Sequence, residues 1–313
     1  MSAITGSFST YDAAANREDL TDGIYNISPS ETPIVSACGR TKATNTYHEW
    51  QTDTLAAASS SNAQLEGKAF AYTTSAATTR VGNYCQISDK EIVVSGTQRA
   101  MNHAGIQDYF VYQTMKKGKE LRKDIEAVCF QVQGQVSGDS TTARKTRAIG
   151  SWLSTNVSRA TDGANATGAT YAPTDGTQRA FTETLLKAVL KSCWDNGAEP
   201  TTLYVGSFNK QAASAFTGRS SARQAIAANA IQGAASMYAS DFGEIKIVPS
   251  RNHRSRDALL IDPEYVKIAY LRGYKVEDIA KVGDADSKAI RAEYALEMRN
   301  EAACAIVADL TTS

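Results

Sequence analysis

Between Gln107 and Gln133, apolar residues recur at helical spacing: Leu121, Ile125, Val128 and Val132 follow steps of three and four. Lys116, Lys117, Lys119, Glu120, Arg122, Lys123, Asp124 and Glu126 occupy the positions between and before them. This pattern predicts an amphipathic helix with one buried stripe. No proline interrupts it, Gly118 is its only internal glycine, and Gly134, Ser137 and Gly138 mark its end. At ~1.5 Å per residue it would run about 40 Å. Arg122 and Glu126 are spaced to pair along its surface.

Upstream, residues 1–43 read as an extended arm with a short helix over Tyr11–Leu20. Pro29 and Pro33 resist helix, and Ile24, Ile27, Ile34 and Val35 are too scattered for a core of their own. Thr44–Thr54 and Phe70–Val81 are rich in Thr, Ala and aromatics and predict the two strands of a hairpin. The segment between them, Leu55–Lys68, is mostly Ala, Ser, Gln and Asn, a long tip with little to bury. A lone two-stranded ribbon is marginal in water, so this hairpin needs another surface, such as another subunit. Val81–Gly105 leads into the helix, with Cys85, Ile87, Ile92, Val93 and Val94 as a buried strand and Ser95 and Thr97 as capping candidates.

Downstream, Thr141–Ser158 reads as a strand anchored by Ile149, Trp152 and Leu153, and Ala160–Gly176 as a loop with two Asp-Gly turns. Arg179–Asn196 predicts a second amphipathic helix with Phe181, Leu185, Leu186, Val189, Leu190, Cys193 and Trp194 on its apolar face. A short buried strand follows at Thr202, then a helix capped by Ser207. Ser220–Met237 is Ala-rich and of no definite form. A strand runs to Pro249, and the run from Ala258 to Arg272 reads as a hairpin over Asp262-Pro263. In the last stretch, Ile290–Leu310, Arg291, Glu293, Glu297 and Arg299 stand against Ala292, Tyr294, Leu296 and Met298. Period two predicts one long strand with a wet face.

Charge then narrows the function. The 313 residues carry 33 basic and 33 acidic side chains, a net charge of zero. A sequence-specific nucleic-acid binder shows a basic footprint; this chain does not, while neutrality lets many copies pack without strong self-repulsion. The arm holds Arg17, Arg40 and Lys42 against Asp12, Glu18, Asp19, Asp22 and Glu31, so it is no basic tail. No signal peptide is expected, because the first residues have neither a basic nor an apolar region, and no run is apolar enough for a membrane span. The five cysteines, Cys38, Cys85, Cys129, Cys193 and Cys304, lack any C-x-x-C spacing and are expected reduced and mostly buried.

Local signatures of chemistry are missing. There is no G-x-G-x-x-G, Walker loop, G-x-S-x-G or H-E-x-x-H. Gly138-Asp139-Ser140 starts like a nucleophile elbow, but Thr142 stands where the second glycine belongs. His48, His103 and His253 lie far apart and read as solvated or core-edge side chains. Glu277, Asp278, Asp284 and Asp286 form an acidic stretch, read as a solvated loop in preference to a cation site. Asn156 and Asn165 open glycosylation-like triplets, taken as chance. No catalytic residue, metal or cofactor is expected.

The order of segments resembles the major capsid proteins of tailed bacteriophages, which share the HK-ninety-seven-type shell fold. The resemblance rests on TDGIYNISPSETPIVS, YHEWQTDTL, RVGNYCQISDKEIVVSGTQRAMNHAG, KGKELRKDIEAVCFQ, TRAIGSWLSTN and LYVGSFNKQAASAF, in that order along most of the chain. It implies an α+β fold with an N-terminal arm at 1–43 and an extended E-loop at 44–94. Residues 95–176 would hold the peripheral P-domain with the spine helix at 107–133. Residues 177–256 would form the mixed α/β axial A-domain, and 257–313 its return and the long P-domain strand. It further implies self-assembly into hexamers and pentamers of an icosahedral shell enclosing double-stranded DNA. The shell would be built in the bacterial host cytoplasm, with scaffold, portal and decoration proteins as candidate partners and no membrane. Leu55, Leu65 and Lys68 on the hairpin, Tyr11 and Arg17 in the arm, and the basic loop Arg251, Arg254 and Arg256 are the expected subunit-interface residues; the last three are also the expected weak, non-specific DNA contact. Some relatives cross-link a lysine to an asparagine. Lys68 sits where an E-loop lysine would, but no partner can be matched, and that activity is not carried over. Two readings stand beside it: a nanocompartment shell of the same fold, and a soluble enzyme with an α/β domain around Thr202–Phe216.

Overall fold

The computed structural model describes residues 31–70, 72, 74–75, 77–101, 108–216 and 236–313. Its organising element is the long helix. Asp108 starts it, its carboxylate accepting from the Phe110 N–H at 2.8 Å and the Val111 N–H at 3.4 Å, which satisfies donors that a helix start leaves open. The helix covers Tyr109–Phe130, 22 residues, shorter than 107–133. It closes at Gln131, before the glycines, and Val132 lies beyond the stripe. Leu121, Ile125, Cys129 and Phe130 form the buried face.

In chain order the elements are α1 (Pro33–Ala37), β1 (Gly39–Lys42), β2 (Tyr47–Thr52), β3 (Thr79–Tyr84), β4 (Gln86–Ser95), α2 (Gly96–Ala100), α3 (Tyr109–Phe130), α4 (Ile149–Trp152) and β5 (Val157–Ser158). They continue with α5 (Glu183–Asp195), β6 (Thr202–Val205), α6 (Ser207–Ser214), β7 (Met237–Ser240), β8 (Gly243–Pro249), β9 (Ala258–Ile261), β10 (Val266–Ile279), β11 (Ala285–Met298) and β12 (Ala305–Val307). The strands form a four-stranded sheet β1-β10-β11-β4, a six-stranded sheet β5-β12-β9-β6-β8-β7 and the two-stranded ribbon β2-β3.

The six-stranded sheet is buried on both faces, so its central strands read as unbroken apolar runs. Leu203, Val205, Leu260, Ala305 and Val307 pack with Leu186, Val189, Leu190 and Cys193 of α5. Tyr204, Leu259, Ile261 and Ile306 point the other way, into one cluster with Leu121, Ile125, Cys129 and Phe130 of α3. That cluster also takes Ile268, Ile290, Tyr294 and Leu296 from β10 and β11. All five cysteines are buried and unbridged.

Several expectations are corrected. Ala258–Arg272 is no hairpin: β9 and β10 belong to different sheets, and Asp262-Pro263 marks the crossing. Likewise Ile290–Leu310 is not one strand. β11 ends at Met298, a 3-10 turn follows at Glu301–Ala303, and β12 joins the other sheet. Its alternating acids face no water; Glu293 and Glu297 are buried, because arginines and a hydroxyl reach them. Thr141–Ser158 contains a one-turn helix, α4, and only a two-residue strand, although Ile149, Trp152 and Leu153 are buried as expected. Pro33 opens α1, where a missing N–H costs nothing. In α5 Thr182 is the cap, and Arg179 and Phe181 precede the helix. Ser207 is the first residue of α6, and Gly206 holds the capping position. Ser95 does cap α2, accepting from the Gln98 N–H. β4 is buried on one side only: Ile92 and Val94 point inward while Ile87 and Val93 are exposed.

Candidate functional site

The chain's most unusual surface is the hairpin. Its strands are β2 and β3, paired from Tyr47–Tyr84 to Thr52–Thr79. The second strand starts at Thr79, not Phe70, and the described residues between the two strands belong to neither. The root is tightly built. Asn83 is buried and donates to the carbonyls of Arg147 at 3.1 Å and Leu296 at 2.8 Å. Its side-chain oxygen accepts from the Arg147 N–H at 2.7 Å. Trp50 lies 5.5 Å from Trp152 and Tyr47 lies 4.6 Å from Tyr84, ring to ring. At Gly82 a Cβ would stand 2.8 Å from the His48 carbonyl oxygen, so the strands can approach this closely only with glycine there.

Glu297 on β11 joins three parts of the chain. It accepts from the Thr41 hydroxyl at 2.6 Å and from Arg299 at 2.8 Å, and faces His48 Nε2 at 3.2 Å. Burial pushes its carboxyl up, but these partners outweigh burial and hold it below the usual value. His48, expected as solvated or core-edge, is thus a tie between hairpin and body. Glu293 similarly takes Arg144 and Arg272.

The tip differs in kind. Leu55 is 99% exposed, Tyr72 97%, Phe70 91% and Leu65 83%. Among the described residues, the Lys68 ammonium reaches only Gln64, four residues away. A soluble monomer rarely leaves so many large apolar side chains together in water.

The N-terminal segment is tied to the long helix by a carboxylate. Glu126 is fully buried and accepts from the N–H groups of Ile34 at 3.0 Å and Val35 at 2.8 Å. The expected Arg122–Glu126 pair is replaced: Arg122 donates to the Ser36 hydroxyl at 2.8 Å. Burial pushes the Glu126 carboxyl up to about 7, against the two N–H bonds and nearby Arg122, which pull it down. Sequence spacing could not reveal this role, since both donors lie about ninety residues away along the chain.

The basic loop is mostly internal. Arg254 pairs with Asp175 and Asp257, and Arg256 with Asp175 and Asp309. Of these three arginines, Arg251 alone stands exposed with no ion pair to a described residue. Tyr11, Arg17 and His103 lie outside the described residues. His253 is buried edge-on to Phe130 at 4.8 Å, and burial pushes its imidazole down to about 4. The acidic stretch is bound up in ion pairs: Glu277 with Lys275 and Arg291, Asp278 with Lys288, and Asp286 with Arg99 and Lys281. Asp139 turns its own loop, accepting from the N–H groups of Thr141 and Thr142. Asn156 is buried, its amide donating to Ala302 and Cys304 carbonyls.

A long helix beside a sheet, a projecting hairpin and a separate six-stranded mixed sheet together define the HK-ninety-seven-type shell fold. A capsid chain of cyanophage A-1(L) superposes with a TM-score of 0.68 at 12% identity, covering 97% of this chain and 98% of that one. The SrpI encapsulin of Synechococcus elongatus has the same fold at a TM-score of 0.55 and 12% identity, covering 96% and 94%. In sequence, the major capsid protein of Escherichia phage Phieco32 is 32% identical over 128 residues, 41% of this chain and 36% of that protein's length. The chain belongs to the SU10 major capsid protein family, which it matches over residues 4–311; it is a major capsid protein of a tailed phage, structural and not enzymatic.

Proposed function

We propose that this chain self-assembles, as hexamers and pentamers, into an icosahedral shell around a double-stranded DNA genome. In this reading the β2–β3 hairpin with its tip is the E-loop, and α3 and the β1-β10-β11-β4 sheet form the P-domain. The six-stranded sheet with α5 and α6 forms the A-domain, and residues 1–43 are the arm. One observation carries the reading: a hairpin locked to the body at its root exposes Leu55, Leu65, Phe70 and Tyr72 at its tip. Such limbs complete their burial on a neighbouring copy. Leu55, Leu65 and Lys68 are then contacts between subunits. Arg254 and Arg256 are held inside by aspartates, which leaves Arg251 as the exposed charge of that loop and makes any contact with packaged DNA weak and non-specific. Assembly in the bacterial cytoplasm, with scaffold, portal and decoration proteins as partners, belongs to the same proposal.

The test is electron microscopy and sedimentation velocity on the full chain, beside a variant whose residues 55–68 are replaced by a short Gly-containing turn. Shell-sized particles from the parent, and folded but unassembled subunits from the variant, are expected. Normal particles from the variant would remove the tip from the interface. Particles that hold a cargo protein in place of DNA would favour the nanocompartment reading.

A further inference from the structure

Trp194 closes α5 and is 49% exposed, although it was expected on the apolar face of its helix. It stacks on Phe242 with ring centroids 5.4 Å apart. Beside the pair is a cavity of about 140 Å³ whose lining includes Leu190, Phe242, Glu199 and Glu244. Both glutamates are exposed and make no ion pair among the described residues; Lys246, two positions along β8 from Glu244, pairs with neither. An aromatic ring, Phe242, beside free carboxylates suits a guanidinium, which can stack and pair at once.

A free guanidinium stands at the opposite end of the same strand. Glu244 is the second residue of β8, which ends at Pro249, and Arg251 follows in the next loop. At ~3.3 Å per residue the two lie about 20 Å apart. Opposite charges at opposite ends of one sheet cannot meet within a subunit. Between copies placed head to tail they can, and a head-to-tail contact whose rotation closes gives a ring.

We propose that the cavity lined by Phe242, Glu199 and Glu244 receives Arg251 of a second copy, whose loop then covers Trp194 behind Phe242, as a repeating contact around each ring of the shell. This rests on the shell reading but concerns a different surface from the hairpin tip.

Two experiments test it. The chain has three tryptophans; Trp152 is buried and the partly buried Trp50 lies against it, so Trp194, the most exposed of the three, dominates quenching by acrylamide. Quenching of dissociated subunits should show one accessible tryptophan, and assembled particles should lose it. Next, Glu244→Arg and Arg251→Glu should each abolish assembly of a subunit whose circular dichroism and melting match the parent. The double variant exchanges the charges at both ends of every contact and should assemble again. Particles in which Trp194 stays fully quenchable would overturn the inference while leaving the shell reading intact, as would single variants that assemble like the parent. A folded double variant that stays unassembled would also overturn it. A parent chain that never assembles would instead remove the shell reading, and this inference with it.

Discussion

At the root of the β2–β3 hairpin Asn83 makes three hydrogen bonds to the body, and Trp50 lies against Trp152. At its tip Leu55 and Tyr72 touch almost nothing. The same ribbon thus obeys two rules. Its root satisfies buried polar groups within one subunit; its tip leaves apolar groups for a surface outside it. The lesson is that stability and assembly are written in different residues, so mutations should separate them.

The largest effect is expected where the body is densest. Ile125 sits at the centre of the α3 stripe and is fully buried. Ile125→Asp buries an unpaired charge, costing about 4–5 kcal/mol. Denaturant titration of the subunit checks this; a variant as stable as the parent would mean that the stripe faces water. Next comes the root itself. Asn83→Ala leaves the Leu296 carbonyl and the Arg147 backbone groups without their partner, and should cost about 2–4 kcal/mol. If the melting temperature does not move, the root is not the anchor that the comparison requires.

Glu126 gives a pH-dependent version of the same test. Its folded carboxyl titrates at about 7 instead of its ordinary 4.5, chiefly through burial. Between those values the folded chain holds a proton that the unfolded chain lacks. Its contribution is therefore full below about 4.5 and is lost as pH rises through about 7. His253, pushed down to about 4, acts in the opposite direction, so the useful quantity is parent minus variant. In Glu126→Gln the proton linkage is gone. The parent's stability relative to the variant should fall by about 2–3 kcal/mol between pH 4.5 and 8. A flat difference would show that Glu126 is solvated, and with it that residues 33–37 are not docked on α3.

How far the sequence revealed this follows from the range of each interaction. The α3 stripe, the Ser95 cap and the buried strand at 202–205 are local patterns, legible because they report burial or capping within one element. Glu293 and Glu297 were misread as a wet face because alternation cannot tell water from an arginine arriving from elsewhere in the chain. The supposed hairpin at Asp262-Pro263 failed for a related reason: a Pro-containing turn marks a change of direction but not the sheet that the chain then joins. Arg254 and Arg256 looked like a basic patch because Asp175 and Asp309 are distant in sequence. The bare tip was legible from composition alone, although not the true start of β3, since Thr and Ala in 70–78 suit both strand and loop.

The smallest effect on the subunit is expected at the tip, where the comparison can be made sharpest. Leu65→Ser together with Phe70→Ser removes two large side chains that are already in water. No cavity forms and no partner is orphaned, so subunit stability should stay within about 0.5 kcal/mol. In a shell the outcome differs. A contact of only about 1–2 kcal/mol is repeated by every subunit and compounds around each closed ring. Folded subunits with unchanged melting and a higher concentration threshold for particles are the expected result, read by sedimentation velocity across a concentration series. A drop in subunit melting would show that the tip packs on its own body. An unchanged threshold would show that assembly draws on other surfaces, and the contrast between root and tip would then describe only how the subunit folds.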